Sequence, residues 1–255
     1  MALTKKNKMD YLLEDSQDHT AKVLLSSFKH GLSDLNNETG GFFYLNDQNN
    51  NFCFYPLKNE GSFFPDLFNS KNDFFYNQYL KNNIISLFHT HLSEDPRPGP
   101  CDISMAESFA LPSFILSTAS KNTYLHYPKN YKPRSLSQRI FIPYFQDCLS
   151  YVKDFYLLNL NINLHNTNIN WSRRKDNNNE DMLSHIQDYF FIVDKKEMKD
   201  GDLIVFEPTI SRFMHLGVYF NKMMFHHPIY SFPKKEVIVD GLLNKVYNIY
   251  RYKDS

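Results

Sequence analysis

Short apolar runs alternate with polar turns along this chain in an order that predicts a mixed α+β protein. Apolar residues at helical spacing indicate a helix over residues 17–36. Two strand-like runs flank the Asn-rich segment 47–51, which indicates a hairpin turn. A further apolar run over residues 111–117 predicts a buried strand. Together these elements predict a first α+β domain that ends near residue 120.

The polar residues that follow an apolar strand at residues 84–88 form a first candidate site. This strand leads directly into His89-Thr90-His91. Residues i and i+2 of a strand point to the same face, so both imidazoles can reach one ion. Asp102 opens a helix-like segment, where it is a natural cap but could equally be a third ligand. Two histidines and one carboxylate leave the fourth tetrahedral position of zinc open for water, as catalysis requires.

An upstream segment adds to this pattern. Residues 38–43 (ETGGFF), followed by a strand, H-x-H and a spaced Asp, resemble the JAMM motif of the JAB/MPN metallopeptidases. The resemblance implies that His89, His91 and Asp102 hold zinc and that Glu38 takes the proton from the attacking water. The serine with which that family stabilises the oxyanion falls on Gly99 here. Zinc binding is therefore the firmer expectation, and turnover the weaker one.

Charge and composition narrow the classes of function. The net formal charge is zero, so neither nucleic acid nor an anionic membrane is an expected partner. Apolar runs fall well short of the roughly 20 residues of a membrane span, and the start of the chain lacks the apolar core of a signal peptide. An odd cysteine count of 3 suits a chain made in a reducing cytoplasm.

The hydrophobic pattern breaks down after residue 119. The following segment holds two prolines, several lysines and no sustained periodicity. Such composition is typical of a linker or an extended connection. We therefore predict a first domain at residues 1–120, a linker at 121–138 and a second domain at 139–255.

The second half contains a cysteine placed near the start of a predicted helix. Leu149, Val152, Phe155 and Tyr156 recur at helical spacing, which puts Cys148 near the first turn. There the helix dipole and the unbonded amides favour a thiolate, so Cys148 is a candidate nucleophile. The alternative is a small, buried and inert residue on a helix face.

Histidines occur on two predicted strands further along the chain. A turn leads into an apolar strand over residues 199–206, and the strand over 214–220 opens with His215. The strand over 223–227 ends with His226 and His227. A Cys at a helix start facing a His on a strand, with a further polar residue to orient the imidazole, suits nucleophilic catalysis. Hairpins carrying histidines are common, so the spacing alone does not establish it.

Four features in order resemble the NlpC-type cysteine peptidases: D-C at a helix start, G-D-L before a strand, H-x-G-x-Y, and a polar residue on the next strand. The resemblance implies that Cys148 is the nucleophile and that His215 is the general base and then the general acid. It gives His226 the orienting role, with His227 as the alternative. It also implies a papain-like fold, with a small antiparallel sheet packed against the Cys-bearing helix.

The order of the two motif sets resembles the tail tip assembly proteins of long-tailed phages. Trp171 with Arg173 and the closing strand at residues 247–252 add to this likeness. The resemblance implies a virion component of the distal tail, made in the host cytoplasm, with other tail tip proteins as partners. NlpC-type relatives cut the peptide stems of bacterial peptidoglycan near γ-D-glutamyl and diaminopimelyl residues, which makes these stems the expected substrate.

The sequence thus predicts an α+β protein of two small domains, a JAB/MPN-like α/β/α domain and a papain-like NlpC domain. Zinc is the expected cofactor, and peptide hydrolysis at the tail tip is the expected function. A structural assembly protein with one or both sites inactive is the alternative. A third reading is that the JAB-like half processes a tail protein during assembly.

Overall fold

The computed structural model of this protein describes residues 19–57, 73–137, 139–165, 167, 169, 180–207, 214–229 and 231–254. The chain divides into two compact units between Lys132 and Pro133. Each unit combines helices with a β-sheet of its own, so the predicted α+β class is confirmed. Trp171 and Arg173 lie outside the described residues.

The first unit is built around one mixed sheet. Its described elements, in chain order, are α1 (His19–Gly31), β1 (Gly40–Leu45), β2 (Phe52–Leu57), α2 (Asp73–Leu80), β3 (Ile84–His91), α3 (Pro100–Phe109), β4 (Ser113–Ser117) and β5 (Thr123–His126). The strands lie in the order β2-β1-β3-β4-β5. Only the pairing of β3 with β4 is parallel, and α3 forms the crossover between them.

Aromatic side chains at successive positions of β1 pack against helices on the two faces of this sheet. Phe42 packs edge-on against Phe75 of α2, with ring centroids 5.2 Å apart. Phe43 points to the opposite face and contacts Phe114, on which Phe28 of α1 stacks. Because both faces are covered, the central strand β3 is buried over nearly its whole length, as its continuous apolar run requires.

The segment predicted as a linker, residues 121–138, differs from that prediction at its start. Thr123–His126 forms β5, which pairs antiparallel with β4 and extends the first sheet. The strand is short and only partly buried, so it carries little apolar pattern for sequence reasoning to detect. The first unit therefore continues beyond residue 120.

The second unit is organised around an antiparallel sheet. Its described elements are α4 (Cys148–Phe155), a π-helical turn (Tyr156–Leu160), α5 (Glu180–Tyr189), β6 (Phe190–Val193), a 3₁₀ turn (Lys195–Glu197), β7 (Leu203–Phe206), β8 (His215–Phe220), β9 (Met223–His226), β10 (Lys234–Val237), α6 (Asp240–Leu243) and β11 (Val246–Tyr252). The strand order is β10-β9-β8-β7-β11-β6, and every pairing is antiparallel.

The helix that begins at Cys148 packs on this sheet. Side chains of α4 share a buried core with Leu203 and Val205 of β7 and with Leu216 and Val218 of β8. The intervening residues of β7 face a second core on the other side of the sheet. The predicted arrangement, a small antiparallel sheet against the Cys-bearing helix, is confirmed. None of the helices in the described part of the chain has the length and apolarity to cross a bilayer.

Candidate active sites

Strand β3 brings His89 and His91 together at the end of the first sheet. The strand continues through His91, so the two imidazoles project from the same face. Their Nε2 atoms lie 3.2 Å apart. His89 is fully buried, whereas His91 keeps some contact with solvent. The strand period therefore places two potential ligand atoms side by side, as the sequence predicts.

Asp102 faces both histidines from the third position of α3. Its Oδ1 lies 3.1 Å from Nε2 of His89, and its Oδ2 lies 3.2 Å from Nε2 of His91. The cap residue of this helix is Gly99, whose N–H donates to Oδ2 of Asp102 at 2.7 Å. The carboxylate therefore contacts the helix start and the histidine pair together. Its two possible roles, helix capping and metal binding, are compatible.

The outer nitrogens of both histidines contact groups that orient the rings. Nδ1 of His91 donates to the carbonyl oxygen of Asp95 at 3.3 Å, and Nδ1 of His89 lies 3.5 Å from Oγ of Ser113. A proton on Nδ1 leaves the Nε2 lone pair pointing inward. Two imidazole lone pairs and a carboxylate then converge, an arrangement that could hold a cation.

These three side chains satisfy the requirements of a zinc site. Within the described residues, the ligand atoms of His89, His91 and Asp102 lie within 4.8 Å of one another. Ligands held about 2.0–2.2 Å from a tetrahedral zinc are about 3.3–3.5 Å apart, close to the separations observed here. The donor set, two imidazoles and one carboxylate, is also one that zinc accepts.

Glu38 lies beside this cluster because the chain before β1 is bound to β3. The N–H of Thr39 donates to Oγ1 of Thr90 at 2.8 Å, and the N–H of Thr90 donates to the carbonyl of Thr39. Burial raises the pKa of the Glu38 carboxyl, although positive charge on His89 and His91 opposes the rise. A carboxylate with a raised pKa is suited to accepting a proton near neutral pH.

Contacts within this cluster also shift the pKa values of Asp102 and His91. Burial alone would raise the pKa of Asp102, but its hydrogen bonds with His89 and His91 hold that pKa well below the usual range. The hydrogen bond to Asp102 raises the pKa of His91. Asp102 is therefore an anion at neutral pH, the form in which a carboxylate can act as a metal ligand.

In the second unit, Cys148 is the first residue of α4. The preceding residue, Asp147, caps the helix, and its side chain accepts hydrogen bonds from the N–H groups of Ser150 at 2.9 Å and Tyr144 at 3.1 Å. These contacts fix the helix start, and hence the position of the thiol, against the loop before it. Cys148 is 5% exposed, while Cys101 is exposed and Cys53 is intermediate, and none of the three forms a disulfide.

His215 and His226 form a hydrogen-bonded pair on adjacent strands. Nε2 of His215 lies 2.7 Å from Nδ1 of His226, and the rings meet edge to face. Gly217 lies directly opposite His226 in the pairing of β8 with β9. A Cβ at Gly217 would come within 3.0 Å of Met224 and 3.3 Å of the His226 side chain, so the glycine leaves room for the pair.

The neighbouring His227 occupies a different environment. Its Nε2 lies 3.0 Å from the carbonyl oxygen of Ser231, and its ring contacts those of Phe141 and Tyr151. Successive residues of a strand point to opposite faces, so only one of the two histidines can meet His215. The geometry selects His226 for that contact.

Burial keeps these histidines neutral. It lowers the pKa of His215 to about 3, and the neighbouring His226 adds to the effect. It lowers the pKa of His226 to about 4, assisted by the positive charge of Lys234 and by His227. Burial likewise lowers the pKa of His227 to about 4. Near neutral pH, His215 is therefore a neutral imidazole able to accept a proton.

Two charged residues near His226 carry no signal in the sequence pattern. Lys234 and Glu236 lie on β10, and Oε2 of Glu236 is 3.3 Å from Nε2 of His226. The segment is polar and forms an edge of the sheet, so it lacks the apolar alternation by which strands are detected. Lys234 and Glu236 are two residues apart, so they would be expected on one face of the sheet once the segment is known to be a strand.

Comparison with known protein families identifies the second unit. Residues 135–250 match the profile of the NlpC/P60 family, so this part of the chain carries an NlpC/P60 domain. The match confirms the predicted resemblance for the second half and indicates a cysteine peptidase. It does not extend to the first unit. A search of curated proteins finds no match to the chain.

The lowered histidine pKa values predict that the second unit loses stability in acid. In the unfolded chain each histidine titrates near its ordinary pKa of 6.5, but in the folded unit only near 3 or 4. The unfolded state binds more protons between these values, so the free energy of unfolding falls as the pH drops from 6.5 towards 4. The slope is at most about 1.4 kcal/mol per pH unit for each histidine.

Hydrogen exchange of the β8 and β9 amides at pH 7 and pH 5 would measure this loss. The variant His227→Phe removes one titrating group from an aromatic environment and should flatten the pH dependence, whatever it does to stability at pH 7. Equal protection at both pH values in the unchanged protein would show that the folded histidines titrate normally.

Proposed function

We propose that the second unit is a cysteine endopeptidase that cleaves amide bonds in the peptide stems of bacterial peptidoglycan. The observation that carries the proposal is the His215–His226 hydrogen bond within a domain matched to the NlpC/P60 family. The helix that starts at Cys148 packs on β8 and β9, the strands that hold these two histidines. The proposed nucleophile, base and orienting residue thus lie on elements of one unit, although β8 meets the core of α4 through Leu216 and Val218, which alternate with His215.

In the proposed acylation step, neutral His215 accepts the thiol proton of Cys148 as the sulfur attacks the carbonyl carbon of the amide. The new C–S bond pushes the carbonyl electron pair onto oxygen. When the tetrahedral species collapses, the C–N bond breaks and the imidazolium of His215 returns its proton to the leaving amine. His226 holds the His215 ring in the orientation that both transfers require.

Deacylation reverses the roles of the groups. Neutral His215 takes a proton from water as the water oxygen attacks the thioester carbonyl. The C–S bond then breaks, a carboxylic acid leaves, and the proton returns to the sulfur. We assign the oxyanion in both steps to the backbone N–H of Cys148, at the N-terminus of α4, where the helix dipole favours negative charge.

The depressed pKa of His215 favours a neutral thiol–imidazole pair in the resting enzyme over a preformed ion pair. An imidazole that is hard to protonate holds the thiol proton poorly before substrate arrives. Proton transfer is then coupled to attack on the carbonyl. This is general-base catalysis. The activity should be lost in acid only when the pH falls low enough to protonate His215.

Replacing the nucleophile tests the proposal. Cys148→Ser should lower cleavage of a γ-D-glutamyl–diaminopimelyl stem peptide by about a thousandfold or more, because a hydroxyl is a far poorer nucleophile in this arrangement. His215→Ala should lose activity to a similar extent, and His226→Ala less, because His226 orients the base. Product formation followed by mass spectrometry gives each rate.

Cys101→Ser is the matched control, since it removes an exposed thiol in the other unit and should leave cleavage unchanged. Full activity in Cys148→Ser would remove the peptidase assignment and return this residue to a packing role.

For the first unit, we propose a zinc site formed by His89, His91 and Asp102, with Glu38 as the proton acceptor. The convergence of two Nε2 atoms and a carboxylate supports it. A bound zinc supplies a Lewis acid that polarises a substrate carbonyl and activates water. Glu38, placed beside the cluster with a raised pKa, takes the proton of the attacking water and passes it to the leaving amine.

Metal analysis tests the ligand assignment. Protein purified without chelator should contain about one zinc per chain, because three ligands converge at suitable distances. His89→Ala should lose most of the metal. His185→Ala, which removes an imidazole on α5 of the second unit, should retain it. A wild-type protein that neither contains zinc nor takes it up from solution contradicts the site.

Variants at Gly99 can show whether this site is catalytic or structural. A Cβ added at Gly99 would meet only Oδ2 of Asp102 within 4 Å, at 3.5 Å, and the backbone there is extended at φ −80°. Gly99→Ser should therefore fold normally, and serine is a favourable helix cap. If an oxyanion donor is all that the site lacks, this variant should cleave peptides that the unchanged protein does not.

Gly99→Ala supplies the added carbon without the hydroxyl and should remain inactive. Cleavage of a mixed peptide library, read by mass spectrometry, distinguishes the variants. Zinc-bound Gly99→Ser with no cleavage would favour a first unit whose site is structural.

We place this activity at the distal tail of a phage, where the two motif sets occur in this order in tail tip assembly proteins. In that setting, local cleavage of peptidoglycan would accompany penetration of the cell wall, and other tail tip proteins would be the partners. The alternative is a structural assembly protein with one or both sites inactive. Gly99 favours it for the first unit, and the His215–His226 pair argues against it for the second.

A further inference from the structure

The two ring nitrogens of His226 face different partners. Nδ1 is 2.7 Å from Nε2 of His215, and Nε2 is 3.3 Å from Oε2 of Glu236. Nε2 is buried, and in this structure its contact with Glu236 lacks the alignment of a hydrogen bond. The carboxylate is nevertheless within ion-pair distance, on a side chain that is 39% exposed and therefore able to adjust.

The register of β9 and β10 places Glu236 there. Lys234 lies directly opposite His226, and Glu236 lies opposite Met224. Side chains two residues apart share a face, so Lys234 and Glu236 both project on the side of His226. Nζ of Lys234 lies 4.0 Å from Oε1 of Glu236. One face of β10 thus presents a cation and an anion to the edge of the histidine pair.

The hydrogen bond between the two histidines requires a choice of tautomers. One of Nε2 of His215 and Nδ1 of His226 must donate, and the other must accept. If His226 donated from Nδ1, His215 would carry its proton on Nδ1, the only nitrogen left to face a thiol, and could not act as a base there. If His215 donates from Nε2, its Nδ1 lone pair stays available and His226 must carry its proton on Nε2.

We propose that Glu236 is a positioning residue that selects this second arrangement, by accepting the Nε2–H of His226. The carboxylate accepts but cannot donate, so it stabilises only the His226 tautomer in which Nε2 is protonated. That tautomer turns its Nδ1 lone pair to His215, which in turn leaves Nδ1 of His215 unprotonated. The 3.3 Å contact shortens in the working enzyme, as catalytic hydrogen bonds commonly do on binding substrate.

The charged and titratable groups around His226 fit this role. Burial lowers the pKa of His226 most, and the positive charges of Lys234 and His227 lower it further. Because His226 stays neutral, Glu236 acts on the position of its proton and not on its charge. The catalytic consequence rests on the proposed function of the second unit, whereas the tautomer assignment does not.

Nitrogen NMR tests the tautomers directly, on the full-length protein labelled with ¹⁵N-histidine at pH 7. We expect Nε2–H forms for both His215 and His226, assigned with the variants His215→Gln and His226→Gln. Glu236→Ala should raise the Nδ1–H population of His226 and, with it, that of His215. Unchanged tautomers in Glu236→Ala, or an Nδ1–H form of His226 in the unchanged protein, would overturn the proposal.

Kinetics give the second readout. Glu236→Ala should reduce kcat for the stem peptide about tenfold, the loss of about one hydrogen bond to a charged group, with KM little changed. Glu236→Asp should recover part of the rate. Glu197→Gln, an exposed carboxylate in the 3₁₀ turn beside the opposite edge strand, is the matched control and should keep full activity.

Failure of the peptidase proposal can be distinguished from failure of the Glu236 proposal. Full cleavage by Cys148→Ser would reject the peptidase but leave the tautomer result standing. Full kcat in Glu236→Ala, in an enzyme that Cys148→Ser inactivates, would reject the role of Glu236 alone. A loss of kcat accompanied by a lower melting temperature and unchanged tautomers would show a structural role and likewise reject the proposal.

Discussion

The two-residue period of the β-strand is the constraint on which both candidate sites depend. It sets His89 and His91 on one face of β3, with their Nε2 atoms 3.2 Å apart. It also sets Lys234 and Glu236 on the face of β10 that meets His226. A slip of one residue would turn each pair to the opposite face of its sheet and away from its partner side chains.

Each site also has a helix start held by an aspartate, but the two carboxylates are used differently. Asp102 accepts the N–H of Gly99 and keeps both oxygens within 3.2 Å of a histidine nitrogen. Asp147 is directed into its own chain, where it accepts amides from the first turn of α4 and from the loop before it. The first arrangement presents a negative charge to the site, and the second fixes the position of Cys148.

Local patterns were sufficient to propose most of the candidate site residues and insufficient to rank them. The strand ending in His89-Thr90-His91 and the cysteine at a helix start follow from spacing within one element. The choice between His226 and His227 required the register of β9 against β8, which depends on residues distant in sequence. Glu236 is recognisable only once β10 is known to pair with β9. Likewise, β5 lay hidden in a predicted linker because its evidence is its pairing with β4.

The electrostatics of the two sites are opposite, and this bears on what each can do. In the first unit, hydrogen bonds hold Asp102 ionised and raise the pKa of His91, so the site retains charge and favours a cation. In the second unit, burial lowers the pKa of His215 to about 3 and of His226 to about 4, so that site excludes charge. Under the proposed function, neutral imidazoles disfavour a standing thiolate–imidazolium pair. The rate of the proposed reaction would then depend on how well the proton is positioned when the sulfur attacks, and hence on the tautomers of the histidine pair.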